Sequence, residues 1–395
     1  MTFENAYSRW AALFFVSVVI LEIGVYWWRG SSPYAWRGSL ASIGVGIGYR
    51  LVGVLKLGIP VGVLYVLWDM RIAEVPLDTV WGILLLFLGV EFAYYWFHRL
   101  SHEIRWMWAT HAVHHSAEHL NILAAYRLGW TGLVSGGWLL FMPLIVLGFH
   151  PAAVLATLSF NLLYQAWIHT DLIPKLGKLE WVLNTPSHHR VHHATNADYL
   201  DRNYGGVLII FDRLFGTYVE ERDQDPCKYG LVTKLESNNP FVIAFHEWIK
   251  MAKDAATART FRELAGYLFG PPGWKPDGKG ATSEDIRREW RERHASVNSP
   301  ATDTTPAVAE TSKKGVAVGG LLLAFAIAGA ALTTDAQARQ PRAETKTACQ
   351  SDFRTYCAKW IASRDRAVQC MRANIEKLSP ACQAALQQEA KVNAR

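Results

Sequence analysis

Blocks of apolar residues, each near the length of a membrane-spanning helix, fill most of the first half of the chain. They occupy residues 11–28, 51–68, 79–97, 131–149 and 151–168. A helix needs about 20 apolar residues to cross the hydrocarbon layer of a bilayer. The second block is the least regular, since Lys56 and several glycines interrupt it. The pattern predicts an all-α protein built as an integral membrane helical bundle.

The distribution of positive charge predicts which side of the membrane each connection faces. Arg29, Arg37 and Arg50 lie between the first two blocks and Lys56 follows near the start of the second, whereas the turn at 69–78 carries one basic and three acidic residues. Because Lys and Arg are retained in cytoplasmic loops, the first connection is expected to be cytoplasmic. Counting crossings from there places His98 and His169 on the cytoplasmic side. The net charge of +6 follows from this topology and indicates no nucleic-acid partner.

The second half of the chain changes character twice. Residues 271–314 mix Pro, Gly, Ser and Thr with charged residues and have no apolar period, which is typical of a disordered linker. Residues 315–338 form an apolar run after two lysines and end in an Ala-Gln-Ala sequence, which predicts a transmembrane or signal-like segment. Residues 339–395 would then be an exported tail, either periplasmic from a bacterial inner membrane or lumenal from an endoplasmic reticulum membrane.

Cysteine usage agrees with export of the tail. Four of the five cysteines lie there: Cys349, Cys357, Cys370 and Cys382. This density predicts a small helical tail stapled by two disulfides in an oxidising compartment, with three connectivities open. A zinc site is the alternative, although the tail has no CxxC pair and no histidine. The spacing resembles the cysteine-rich repeat of the Golgi apparatus protein 1 family.

The predicted chemistry depends on the histidines. Nine of the 14 histidines fall into four groups: His98 with His102, His111 with His114 and His115, His169, and His189 with His192 and His193. Residues three or four apart share one face of a helix, so each group can direct its imidazoles at one point. A lone histidine is usually a satisfied polar residue. Three groups of nearly equal spacing instead predict shared metal ligation.

The number of imidazoles indicates how many ions they hold. Zinc in proteins is usually satisfied by four ligands, so nine imidazoles suit two ions with four or five each. Imidazole is a ligand for iron, zinc, copper and nickel alike. Two iron ions are preferred because iron activates oxygen, and zinc remains possible as a substitute.

The sequence segments around these histidines resemble those of the fatty acid hydroxylase and sterol desaturase superfamily of membrane di-iron enzymes. Within that superfamily they resemble the alkylglycerol monooxygenase subfamily. The resemblance rests on EFAYYWFHRLSHE, MWATHAVHHSAEHLNILAAYR, FNLLYQAWIHT, LEWVLNTPSHHRVHHATNADYLDRNYGGVLIIFDRLFGTY and YGLVTKLESNNP. These stretches cover much of residues 91–240. The resemblance implies N-terminal membrane spans over 1–78 and a catalytic domain over 79–270, with a histidine-rich cap on the cytoplasmic side.

Carried over by position, the resemblance makes the same nine histidines the metal ligands, with His169 as the ninth. His188 lies outside the register of the third group, and His119 lies one helical turn beyond His115. The remaining histidines, His150, His246 and His294, are expected to be structural or solvent-facing.

Three further residues are candidates for supporting the ligands. Glu91 precedes His98 by two helical turns, Gln165 shares a helical face with His169, and Asp201 follows the third group. Each could orient a ligand imidazole by hydrogen bonding. Glu118 is a weaker candidate. Asn196, Asn203 and Tyr204 lie in a segment that carries the family resemblance, but no individual role is predicted for them.

The expected function is that of a membrane-bound di-iron oxidoreductase that uses O2 to hydroxylate a lipid alkyl or acyl chain. The resemblance implies ether-lipid cleavage, with tetrahydropterin as electron donor, but no residue marks a pterin site and the external donor stays unidentified. The subfamily carries further spans after the catalytic region, where this chain has a linker and a cysteine-rich tail. Two alternatives stay open: a fatty acid or sterol desaturase with the same site, and a non-catalytic histidine-rich metal-binding or transport protein.

Overall fold

A computed structural model describes residues 3–30, 34–56, 58–297, 343–357 and 370–393. The described residues contain helices and two isolated β-bridges but no β-strand, which confirms the all-α prediction. The chain folds as two compact units, residues 1–319 and 320–395. The predicted apolar segment at 315–338 lies outside the described residues.

The described part of the first unit has three α-helices before the turn at residue 70 and ten after it. The α-helices are α1 (Phe3–Arg29), α2 (Trp36–Lys56), α3 (Gly58–Asp69), α4 (Val80–Glu103), α5 (Arg105–His115), α6 (Gly132–Ser135), α7 (Met142–Leu147), α8 (Pro151–Ile168), α9 (Pro186–His193), α10 (Ile210–Phe215), α11 (Pro240–Ala255), α12 (Phe261–Phe269) and α13 (Ser283–Val297). Short 3-10 helices occupy Ile122–Tyr126, Gly137–Phe141 and Gly177–Trp181.

Two helices of the described part, α4 and α8, are long and apolar enough to cross a membrane. Helix α4 begins at a cap in which Thr79 accepts a hydrogen bond from the Gly82 amide at 3.1 Å. Helix α8 begins with Pro151, and His150 caps it by accepting from the Ala152 amide at 3.2 Å. The two helices pack together with α7 around a core that includes Val90, Ile145 and Val154.

Two of the predicted apolar blocks are not single helices. The 131–149 block is divided into α6, a 3-10 helix and α7. Gly136, with a left-handed φ of 78°, ends α6, and Gly148, with a φ of 112°, ends α7 near the end of the block. The 51–68 block is divided between α2, which ends at Lys56, and α3, which begins at Gly58. Apolar composition predicted both segments correctly as helical, but it did not reveal these local breaks.

The prediction of a disordered linker from residue 271 is wrong as far as residue 297. Helix α13 covers Ser283–Val297, and Thr282 and Asp285 cap its start with reciprocal hydrogen bonds. Arg287 donates a hydrogen bond to the Leu200 carbonyl at 2.7 Å. This contact between α13 and a distant loop gives the helix tertiary support that its polar sequence did not reveal. The rest of the predicted linker lies outside the described residues.

A buried ion pair joins α5 to α11. The Arg105 guanidinium donates to Glu247 at 3.1 Å and also to Asp254, and both Arg105 and Glu247 are more than nine-tenths buried. Because α5 carries the second histidine group, this pair fixes the helix that positions three of the imidazoles.

We expect Glu247→Gln to destabilise the protein by about 3 kcal/mol, because removing one partner of a buried pair leaves a buried charge poorly compensated. Thermal unfolding in detergent measures the loss. Asp254→Asn is the matched control, since it removes the more exposed partner of the same arginine and should cost less. Equal losses in the two variants would contradict the assignment of Glu247 as the principal partner.

The second unit is a small disulfide-bonded helical assembly. Its described helices are α14 (Ala343–Tyr356), a 3-10 helix at Ile375–Lys377 and α15 (Pro380–Asn393). Disulfides join Cys349 to Cys382 and Cys357 to Cys370. The structure therefore selects the nested connectivity among the three possibilities. With all four thiols in disulfides, none is left as a thiolate for the alternative zinc site.

Candidate metal centre

Four chain segments bring nine histidines together inside the first unit. His98 and His102 lie in the last two turns of α4, and His169 directly follows α8. Helices α5 and α9 carry the other six near their C-terminal ends. All nine side chains are buried or half-buried. The C-terminal ends of α4 and α8 therefore meet at the same place.

The nine imidazoles divide into a group of five and a group of four. The five-histidine group contains His98, His102, His111, His115 and His192, and the four-histidine group contains His114, His169, His189 and His193. Within each group the candidate ligand nitrogens all lie within 4.8 Å of one another. The groups are adjacent, because the ring centroids of His115 and His193 are only 4.4 Å apart.

Helices α5 and α9 each contribute to both groups, and helical geometry explains the division. His111 and His115 are four residues apart and share one face of α5, whereas His114 directly precedes His115 and so points about 100° away from it. In α9, His189 and His193 share a face in the same way, and His192 faces the other group. The same spacing in two helices thus builds two neighbouring ligand sets.

Backbone carbonyls fix the tautomer of several rings. The Nδ1 atoms of four histidines lie within hydrogen-bond distance of a carbonyl: His98 to Tyr204 at 2.8 Å, His192 to Arg202 at 2.9 Å, His114 to Arg127 at 3.2 Å, and His169 to Gln165 at 2.7 Å. A carbonyl only accepts, so each Nδ1 carries the proton. A neutral imidazole has one N–H, which leaves each Nε2 with a lone pair and no proton.

Burial keeps these rings neutral. It lowers the pKa of His114 to about 4 and holds the pKa values of His169 and His192 well below their usual range. The neighbouring imidazoles lower the pKa values of His169 and His192 further, because a second positive charge nearby is unfavourable. The rings are thus in the form that binds a metal.

The contacts among the Nε2 atoms fit shared cations better than hydrogen bonds. The Nε2 atoms of His169 and His114 are 3.1 Å apart although both protons are on Nδ1, so two lone pairs face each other. Two ligands about 2.1 Å from one ion and at right angles to each other are about 3.0 Å apart. The buried Nε2 atoms of His102 and His192 have no hydrogen-bond partner. The residues therefore fit a metal in each group.

Asp201 is the one predicted supporting residue whose side chain reaches a ligand imidazole. Its Oδ1 lies 3.0 Å from Nδ1 of His102. Burial is the largest influence and opposes the ionised form of this carboxyl, but the hydrogen bonds from His102 and Ser283 together with nearby positive charge hold the pKa of Asp201 below its usual range. A carboxylate on the outer nitrogen of a ligand histidine fixes the ring and raises its basicity.

Glu91 and Gln165 are engaged differently from the sequence-based expectation. Glu91 accepts hydrogen bonds from Asn161 at 2.6 Å and from the Val207 and Leu208 amides at 2.8 and 2.9 Å, rather than from an imidazole. The Gln165 side chain is bonded to Asn161 and Tyr94, and it is the backbone carbonyl of Gln165 that faces His169. Through these hydrogen bonds both side chains join α4 to α8, and neither side chain is bonded to a ligand imidazole.

The other histidines and Glu118 stand outside the two groups. Neither ring nitrogen of the fully buried His188 has a hydrogen-bond partner among the described residues, and His119 is exposed. Nδ1 of His246 lies 2.9 Å from the Ile243 carbonyl within α11. Glu118 forms an ion pair with Lys234. The side chain of His294 lies outside the described residues.

The acceptors that orient the ligands could not be recognised by residue type, because every residue has a carbonyl. A signal was nevertheless present in the loop after α9. Asp201 and Asn203 have positive φ values of 52° and 55°, and Asp and Asn are the residues other than glycine that most often adopt this conformation. Two such residues close together indicate a loop whose backbone conformation is constrained, as is needed to hold carbonyl acceptors at fixed positions.

Comparison with known proteins shows what the chain is similar to. Residues 83–217 match the fatty acid hydroxylase family model, a range that contains all nine histidines. The chain is 39% identical over 272 residues to alkylglycerol monooxygenase of Xenopus tropicalis and 39% identical over 273 residues to that of Homo sapiens, covering 68% of this chain and 60% of each relative. It is 31% identical over 128 residues to ornithine lipid hydroxylase OlsE of Rhizobium tropici, covering 32% of this chain and 39% of that protein. No solved structure matches the chain.

Proposed function

We propose that residues 83–217, which match the fatty acid hydroxylase family model, form the catalytic domain of a membrane-bound di-iron monooxygenase that hydroxylates a lipid chain with O2. The observation that carries the proposal is the pair of adjacent imidazole groups whose Nε2 atoms converge, with the unprotonated Nε2 atoms of His114 and His169 only 3.1 Å apart. Five and four nitrogen ligands suit two iron ions. The chain spans about 60% of the length of the alkylglycerol monooxygenases it matches.

Bound iron would supply the redox chemistry that inserts one oxygen atom of O2 into an unactivated C–H bond, with two electrons and two protons converting the other atom to water. The protein's own residues hold and orient the ligands. Neutral rings with Nδ1 protonated present Nε2 inward, and Asp201 adds negative charge at His102. Burial of the rings keeps bulk water away, which strengthens electrostatic interactions inside the site.

The C-terminal ends of α4 and α8 lie together, which supports a metal centre at one surface of the membrane. Both helices bring histidines to the centre at their ends, so both run toward the same side. The segment from Gly132 to Leu147, which is divided into three short helices, would then carry the chain back across the membrane between α4 and α8. Positive charge in the first connection favours the cytoplasm as that side, where electrons and protons are available. A transporter would instead be expected to hold its ligands near the bilayer midplane.

Relatives give the proposed substrate class. Two of those described above are named alkylglycerol monooxygenases and one an ornithine lipid hydroxylase. We therefore propose an alkyl or acyl chain of a membrane lipid, with glyceryl ethers as the first substrates to assay. A desaturase with the same site is the remaining alternative within the family.

The test compares lipids from cells that express the protein with lipids from cells that express an inactive His192→Ala variant, both under oxygen-18 gas. A hydroxylated lipid, or an aldehyde released from a glyceryl ether, with one labelled oxygen supports a monooxygenase. A new double bond without label indicates a desaturase. Identical lipid profiles, together with metal-loaded purified protein, would point to the metal-binding alternative.

We expect a chain that ends near Lys313 to insert, bind metal and oxidise lipid as well as the full chain. The nine candidate ligands and the carbonyls that face them all lie between His98 and Tyr204, and the disulfide-bonded tail belongs to the other compact unit. We propose that the tail is exported and serves location or partner binding. Metal content and turnover are compared at equal membrane abundance. Loss of either from a folded truncated protein would assign the tail to the enzyme.

A further inference from the structure

One short loop faces three of the five imidazoles in the five-histidine group. Asp201 Oδ1 lies 3.0 Å from Nδ1 of His102, the Arg202 carbonyl 2.9 Å from Nδ1 of His192, and the Tyr204 carbonyl 2.8 Å from Nδ1 of His98. Residues 201–204 will be called the acceptor loop. Its three acceptors reach histidines from both α4 and α9.

The four-histidine group takes its acceptors from elsewhere. Nδ1 of His114 faces the Arg127 carbonyl and Nδ1 of His169 faces the Gln165 carbonyl. These carbonyls lie in segments that are separate in sequence from the acceptor loop. The two ligand groups are adjacent, yet the described hydrogen bonds orient them through different parts of the chain.

The acceptor loop needs support to keep its conformation. Asp201 and Asn203 have left-handed φ values, which are unfavourable for residues other than glycine. The Asn203 side chain donates to the His188 and Val219 carbonyls at 3.1 and 2.8 Å and accepts from the Val219 amide at 2.9 Å. These bonds fix the middle of the loop.

Asp212 fixes the end of the loop. This fully buried carboxylate accepts hydrogen bonds from the Tyr204 amide on Oδ1 and the Gly205 amide on Oδ2, both at 2.7 Å. The Thr217 hydroxyl donates to Oδ1 at 2.7 Å. Each carboxylate oxygen therefore receives at least one N–H, and the Tyr204 carbonyl that faces His98 belongs to the residue held in this way.

Resting on the proposed di-iron function, we propose that Asp212 is a positioning residue for one metal site only: it holds the acceptor loop and thereby orients the imidazoles of the five-histidine group. Asp212 touches none of the nine histidines in the hydrogen bonds of the described residues. Its effect is transmitted through the backbone of Tyr204 and its neighbours. No imidazole of the four-histidine group has its described acceptor in this loop, whose bond nearest that group runs from Asn203 to the His188 carbonyl, so we expect that group to keep its ligand geometry.

The test variant is Asp212→Asn, which keeps the shape of the side chain. An amide has one acceptor oxygen, so its NH2 group must face either the Tyr204 or the Gly205 amide, where two donors oppose each other. Purified protein in detergent is titrated anaerobically with Fe2+ against a competing chelator. We expect one of the two sites to lose about ten- to a hundredfold in affinity, the range seen when outer hydrogen-bond partners of metal ligands are changed, and the other to be nearly unchanged.

Asp198→Asn is the matched control, because Asp198 is a partly exposed partner of Arg222 and is not bonded to the acceptor loop. It should bind two ions as the wild type does. Asp201→Ala is the second variant, since it removes the acceptor of His102 alone and should weaken the same single site even if Asp212→Asn folds poorly. Equal weakening of both sites, or of neither, overturns the proposal. A wild-type protein that binds no metal would instead overturn the proposed function.

Discussion

Replacing His114 or His192 with alanine is expected to abolish lipid oxidation and to reduce the metal content of the purified protein. The two histidines belong to different ligand groups, so either substitution removes a direct ligand from one of the two ions. Changes to outer partners of metal ligands already cost about ten- to a hundredfold in affinity or activity, and loss of a ligand should cost more. Turnover and metal content are measured on the same preparations.

Histidines outside the groups provide the controls for this experiment. His119→Ala alters an exposed ring, and His246→Ala alters a ring that faces a carbonyl of its own helix. Both variants should keep two ions and near-normal turnover. Full activity in His114→Ala or His192→Ala would show that the converging imidazoles are not the catalytic ligands.

Removing the metals is expected to lower the thermal stability of the protein strongly. Without a cation, the unprotonated Nε2 atoms of His114 and His169 face each other at 3.1 Å in a buried site. An ion present at a thousand times its dissociation constant stabilises the folded state by about 4 kcal/mol, and two ions are proposed here. Thermal unfolding of the protein in detergent is followed with and without a chelator. An unchanged unfolding temperature, with metal shown to be gone, would contradict metal-dependent packing of the centre.

Acid should weaken the same site. Burial lowers the pKa of His114 to about 4 and holds the pKa values of His111, His115 and His189 well below their usual range. Between about pH 6.5 and pH 4 the unfolded chain therefore binds more protons than the folded chain, so stability falls as the pH falls. The contribution is fully present above about pH 6.5 and is lost toward pH 4. Metal release should follow the same direction, because protons and metal compete for the imidazoles.

The candidate ligands could be predicted from sequence, whereas their division into two groups could not. Spacings of three and four residues are local properties of a helix, so they identify His111, His114 and His115 without any tertiary information. Which of these rings belongs with His98 and which with His169 depends on how α5 is rotated relative to α4 and α8. That rotation is set by contacts such as the buried pair of Arg105 and Glu247, which are distant in sequence.

The sequence-based errors have a related cause. The 131–149 block was correct in apolar composition, but the left-handed Gly136 interrupts the helix within it. The helix at Ser283–Val297 is polar, and its contact with the Leu200 carbonyl involves a residue more than 80 positions earlier. Local composition reports burial preference. It does not show which distant side chain will bond to a given backbone carbonyl, as the Arg287 side chain does to the Leu200 carbonyl.

The position of the acceptor loop after all nine histidines has a consequence for biosynthesis. A ribosome adds about 5–20 residues per second, so every candidate ligand up to His193 leaves it before Asp201, Arg202 and Tyr204 do. At that moment His98, His102 and His192 lack the partners that fix their tautomers. The five-histidine group can therefore reach its final form only after Asp212 and Thr217 have been synthesised. We expect nascent chains stalled where His193 has left the ribosome but the acceptor loop has not to capture metal in the four-histidine group first, so that the two ions are acquired in a set order.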